Sequence, residues 1–174
     1  MSVQGIDFPH LSLRDALDLA ILIEAEAQER YEEFAHQMDL HHTPEAATFF
    51  RLMAVNETKH GAQLAQRRTA LFGDAPCTVT RAMLWDVEAP DYDAARAFMT
   101  ARQAMQAALR SEEKAHAFFV AALPQVDNPD AQALFAELCE EEILHQTLVK
   151  NELAKLAADP AVDPDDFVDE PAAQ

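Results

Sequence analysis

Bases are scarce in this chain. Thirteen Lys plus Arg stand against 31 Asp plus Glu, for a formal net charge of −18. Such a surface repels phosphate backbones, so no nucleic-acid partner is expected. Glycine is scarcer still, at three in 174 residues. Cysteine is limited to Cys77 and Cys139, which form no CxxC pair, so a rubredoxin-type or zinc-ribbon knuckle within this chain is excluded. No apolar run approaches the ~20 residues of a membrane span. Met1 to His10 shows no basic run followed by an apolar one, so no signal peptide is expected. Together with the unpaired cysteines this predicts a soluble, cytoplasmic protein in a reducing compartment.

What is present is helix-forming. Alanine, leucine and glutamate are the most frequent residues, and these lose little side-chain freedom in a helix. With 49% apolar residues, the length suits one domain with a single core. Ser12, followed by Asp15, opens a first helix that runs to about Leu40. Thr43-Pro44-Glu45 reads as the start of a second, which closes at Gly73. Residues 73–90 form one long connection containing Trp85. A third helix is expected from near Asp91 to Leu123, before Pro124, and Asn128-Pro129-Asp130 starts a fourth that reaches about Ala158. Residues 159–174 hold six acidic residues, three prolines and no base, so an acidic, disordered tail is expected. The fold class is therefore all-α, a four-helix bundle over residues 1–158 with a long crossover between helices 2 and 3.

The helical period identifies the inward faces. Helix 1 reads Leu13, Leu17, Ile21, Glu24, Ala27, Tyr31, Phe34, Met38, so Glu24 occupies a core position. Helix 3 reads Phe98, Ala101, Met105, Ala108, Glu112, Ala115, Phe119, Ala122, where Glu112 interrupts the stripe. Helix 2 places Glu57 and His60 between Met53 and Leu64; helix 4 places Glu142 and His145 between Leu138 and Val149. In both, a Glu and a His three residues apart share the inward face. Glu24-x6-Tyr31 matches Glu112-x6-Phe119 at an offset of 88, and Phe50-x6-Glu57-x2-His60 matches Phe135-x6-Glu142-x2-His145 at an offset of 85. A duplicated helical hairpin explains this most simply.

Four inward carboxylates with no inward Lys or Arg cannot all stay ionised in a dry core, where each costs on the order of several kcal/mol. Two divalent cations would balance four negative charges, and the two imidazoles would add neutral ligands. A glutamate can bridge two ions, a histidine one turn on can terminate one of them, and the lone Glu of the hairpin partner can complete its shell. Positions remain open for O2, peroxide or water. The competing reading is a set of buried residues satisfied by hydrogen bonds to one another.

One Glu, then ExxH, then one Glu, then ExxH, on four helices with a long second-to-third connection, resembles the ferritin-like di-iron superfamily. The Glu-x6-Tyr of helix 1 is most similar to the rubrerythrins, and the resemblance spans about residues 13–158. It implies Glu57 and Glu142 as bridging ligands, Glu24 and Glu112 as terminal carboxylates, and His60 and His145 as terminal imidazoles. It also implies Tyr31 as a tyrosine that hydrogen-bonds a ligand carboxylate, with Phe119 in the equivalent place of the other half. Gln28 and His116 differ in the same way. Rubrerythrins carry a further glutamate three residues after the helix-3 ligand; Ala115 stands here, which argues against the ligand exchange that glutamate supports.

The resemblance further implies two iron ions, with manganese or zinc as substitutes, reacting with hydrogen peroxide or O2 as a peroxidase or ferroxidase. An external electron-donor protein and a homodimer are expected with it. The alternatives are iron storage, or a metal-stabilised structural or interaction protein without turnover. Glu113 with His116 forms a third ExxH, but Glu113 lies about 100° off the seam, and His116 reads as a surface or structural residue before an extra ligand. Glu26, Glu29, Glu32, Glu33, Glu140 and Glu141 are expected on acidic outer faces.

Overall fold

The computed structural model describes residues 6–83, 87, 89–90 and 98–156. Four helices dominate: α1 (Leu13–Leu40), α2 (Pro44–Phe72), α3 (Ala101–Ala122) and α4 (Pro129–Lys155). No strand occurs among the described residues, and no described helix is long and apolar enough to cross a membrane. The expected tail and Trp85 lie outside the described residues.

Local chemistry fixes most helix ends. The Ser12 hydroxyl accepts from Asp15 N (3.2 Å) at the start of α1, and Asn128 Oδ1 accepts from Asp130 N and Ala131 N at the start of α4. Thr43 holds the N-cap position of α2 but makes no side-chain cap; its hydroxyl donates to Met38 O (3.1 Å) and so closes α1 instead. Gly73 ends α2 at φ 56°, a left-handed conformation that costs glycine nothing.

The third helix departs from expectation. It begins at Ala101 rather than near Asp91, because Thr100 builds a capping box with Gln103: Thr100 Oγ1 accepts from Gln103 N (3.2 Å) and Gln103 Oε1 accepts from Thr100 N (2.9 Å). Phe98, expected on the inward seam, instead has φ 61° and is 73% exposed. Residues 91–97 lie outside the described residues. Helix α4 stops at Lys155, and Leu156 is extended.

Each hairpin packs along its own length, α1 on α2 and α3 on α4, while α2 also meets α3 and α1 meets α4. One hollow brings together His42 and Thr43, Thr100 and Ala101, and Leu156. The start of α2, the start of α3 and the end of α4 therefore share one end of the bundle. Helices α2 and α3 run parallel, so residues 73–100 return along the full bundle length, about 43 Å for a helix the size of α2.

Ion pairs and carbonyl contacts hold that return segment. Arg68 of α2 pairs with buried Asp18 of α1 (2.8 Å) and donates to Gly73 O (2.8 Å). Arg81 meets Glu29 with two nitrogens (2.5 and 2.6 Å). Further on, Arg30 Nη1 donates to Pro90 O (2.6 Å) and Lys114 Nζ to Ala89 O (2.8 Å). Arg30 is buried but lies off the inward seam, with a guanidinium nitrogen on the crossover.

The apolar core comes in two parts. One, toward the start of α1, gathers Leu17, Ile23, Leu64, Phe119, Phe135 and Leu138. The other, toward the α1–α2 turn, gathers Ala27, Tyr31, Phe34, Phe50, Met53 and Val149. Between them, at mid-height on every helix, stand Glu24, Glu57, Glu112 and Glu142. Leu13, Ile21 and Met105 of the expected seams are only partly buried.

Gly61 lies inside α2 at this level, and a Cβ built on it would meet Glu24 Cβ at 3.5 Å, an ordinary contact. Gly61→Ala should therefore raise stability by about 0.5–1 kcal/mol through helix propensity. Urea unfolding checks this; a lower midpoint would show that the site needs the glycine.

Candidate metal centre

The two hairpins each deliver one trio. Glu24 of α1 meets Glu57 and His60 of α2, and Glu112 of α3 meets Glu142 and His145 of α4. In each trio a ligand-capable atom from every residue lies within 4.8 Å of the others. All six expected residues are thus brought together, three by three. The four carboxylates are buried, Glu112 completely, while the imidazoles are partly exposed. The His60 and His145 rings stack across α2 and α4, with centroids 4.5 Å apart and planes 6° apart, so the trios adjoin.

The electrostatics are those of a site short of positive charge. Burial, with the carboxylates of Glu112 and Glu141 nearby, raises Glu24 to about 7, against the lowering effects of a hydrogen bond with Glu57 and the His145 imidazole. Glu24 Oε2 is buried without a hydrogen-bond partner. Burial and then His145 push His60 below its usual range. Burial alone would depress His145 too, but its hydrogen bond to Glu112 and the carboxylates of Glu112, Glu24 and Glu141 raise it instead. Carboxylate oxygens and imidazoles in this number suit a divalent first-row metal, and each trio can hold one cation.

Tyr31 is fully buried, and its hydroxyl donates to Glu112 Oε1 (3.2 Å), across the bundle from the other hairpin. His145 Nδ1 lies 3.1 Å from Glu112 Oε2, so both Glu112 oxygens are engaged. Phe119, at the equivalent place to Tyr31, packs its ring on Phe118 and Phe135. The halves are therefore unequal: a hydroxyl reaches Glu112, whereas the residue matching Tyr31 in the second half has none. Tyr31→Phe should destabilise the metal-free protein by about 2 kcal/mol, since a buried carboxylate loses its donor. Denaturant unfolding reads this directly, and an unchanged midpoint would refute it.

Glu113 is exposed and pairs with Lys150 (3.8 Å), and His116 is partly buried. Ala115 is fully buried. Glu29, Glu32, Glu33 and Glu140 are exposed. Glu141 was expected on an outer face yet is only partly exposed, and it acts on both Glu24 and His145. Its helical angle does point outward, but it lines a cleft shared with His60, Gln63 and Arg67 of α2, and no signal local to α4 reports that neighbourhood.

The family model for rubrerythrin matches residues 15–153. No curated protein matches the chain. Among solved structures, an uncharacterized conserved protein from Magnetospirillum magnetotacticum is similar at 28% identity and a TM-score of 0.65, over 87% of this chain and 99% of that one. A hypothetical protein from Pyrococcus furiosus shares the fold at 19% identity and a TM-score of 0.55, over 88% of this chain and 94% of that one.

Proposed function

Since the chain belongs to the rubrerythrin family, we propose that Glu24, Glu57 and His60 hold one iron ion and Glu112, Glu142 and His145 a second, and that the reduced pair reacts with hydrogen peroxide or O2. The observation that carries this reading is the pairing of two buried Glu/Glu/His trios whose imidazoles stack. Held by these six residues, a ferrous pair would supply the two electrons that, with two protons, convert H2O2 to two waters.

The chain's own contribution is placement and exclusion. Four carboxylates set the charge for two dications, and the apolar clusters above and below keep water away from those carboxylates. Tyr31 fixes the orientation of Glu112 through its hydroxyl, as supporting hydrogen bonds do for ligand carboxylates generally. Reducing equivalents come, on this reading, from a separate donor protein, since Cys77 and Cys139 form no CxxC pair that could hold a rubredoxin-type iron.

The test is metal analysis with anomalous scattering on protein produced in iron-supplied cells, followed by rapid mixing of the ferrous form with stoichiometric peroxide. Two iron ions per chain and oxidation within seconds are expected. Metal without oxidation would leave a structural role, and no metal between Glu57 and Glu142 would overturn the reading entirely.

A further inference from the structure

A cleft of about 120 Å³ opens between α2 and α4, lined by His60, Gln63, Arg67, Glu137 and Glu141 among others. That volume holds roughly four waters at ~30 Å³ each, so a partly hydrated cation fits it. The cleft ends on His60, a member of the first trio, and Glu141 acts electrostatically on Glu24 and His145. Its inner end thus reaches the first trio, whose His60 ring stacks on His145 of the second.

Two larger hollows, one beside His42 and Phe98 and one beside Leu123 and Pro129, lie at the bundle ends and are lined by none of the six ligand residues.

The carboxylates of this cleft and of the trios beyond it are graded by depth. Glu137 is exposed, Glu141 is half-buried one turn further along α4, and Glu142 and Glu24 are buried. Arg67 of α2 reaches across the opening to Glu137 (2.5 Å). Leu64, Leu134 and Leu138 form apolar walls, and low-dielectric walls focus the field of charges beside them.

We propose that this cleft is the path by which divalent cations reach the paired trios, with Glu137 and Glu141 drawing them inward and Arg67 restraining the outer carboxylate. The proposal rests on the reading of the trios as metal ligands. It assigns a role to Glu137, Glu141 and Arg67 that ligation itself does not require.

The test is stopped-flow uptake of Co²⁺ by the metal-free full chain at low ionic strength, read by visible absorbance, with the final stoichiometry measured in the same samples. The double variant Glu137→Gln/Glu141→Gln should bind as much Co²⁺ as the unaltered protein but about 10-fold more slowly, and raising the salt should shrink that difference. Arg67→Gln should bind about 3-fold faster, which keeps the proposal testable if the double variant fails to fold.

Unchanged rates would overturn the route, and so would a loss of stoichiometry in the double variant, which would make Glu141 a ligand. Failure of the unaltered protein to take up Co²⁺ at all would overturn the ligand reading and the route with it.

Discussion

Glu57→Gln/Glu142→Gln protein should bind no metal pair and show no thermal stabilisation by added metal. Each trio would lose one of its two carboxylates, leaving Glu24 with His60 and Glu112 with His145. A neutral amide is a poor ligand for a hard dication beside a single carboxylate, and the pair of sites would be left two charges short. In the unaltered protein, metal at about a thousand times its dissociation constant contributes about 4 kcal/mol for each site. The measurement is metal content together with the melting temperature with and without ferrous iron. The metal-free variant should melt higher than the metal-free parent, because two of four crowded carboxylates have been removed. Retained metal, or retained metal-dependent stabilisation, would place the ligands elsewhere.

The second large effect is a reversal of pH dependence. Glu24 rises from 4.5 to about 7 in the folded chain, first through burial. Between those values the folded chain holds a proton that the unfolded chain has lost, so stability falls as pH rises through that window and is level above it. The change from this group is at most about 3 kcal/mol. The raised His145 works in the same sense, since its stabilising charge is lost as pH rises; the lowered His60 opposes both.

Metal binding requires ionised carboxylates and neutral imidazoles, so metal-loaded protein should gain stability over the same range. Melting curves between pH 5 and pH 8, in chelator and in excess metal, should therefore slope in opposite directions. A metal-free melting temperature that climbed with pH would contradict the burial argument for Glu24.

Much of this arrangement was legible because it is local. Start signals at Ser12, Pro44 and Asn128, and glutamates interrupting apolar seams, need only a few residues of context. The two trios also follow from the repeat, since each hairpin supplies its own.

What escaped is non-local. Asp18 and Arg30 are buried because Arg68 and the Pro90 carbonyl, 50 and 60 residues away, come to meet them. Glu141 lines a cleft together with residues of the other hairpin. The start of α3 at Ala101 is hidden for a different reason: the apolar period runs on smoothly through Phe98. The T-x-x-Q of Thr100 and Gln103 was nonetheless there to read as a capping box.

The parallel course of α2 and α3 carries a last consequence. Because α1 then runs opposite to α3, and α2 opposite to α4, the two halves are related by a near-twofold axis through the site, perpendicular to the bundle. Two separate copies of one hairpin could assemble about such an axis, but every residue would then occur twice and both positions would be identical. The covalent tether of residues 73–100 removes that constraint. It allows a tyrosine on one side and a phenylalanine on the other, so that a change at Tyr31 alters one half of the centre while its counterpart keeps its own surroundings.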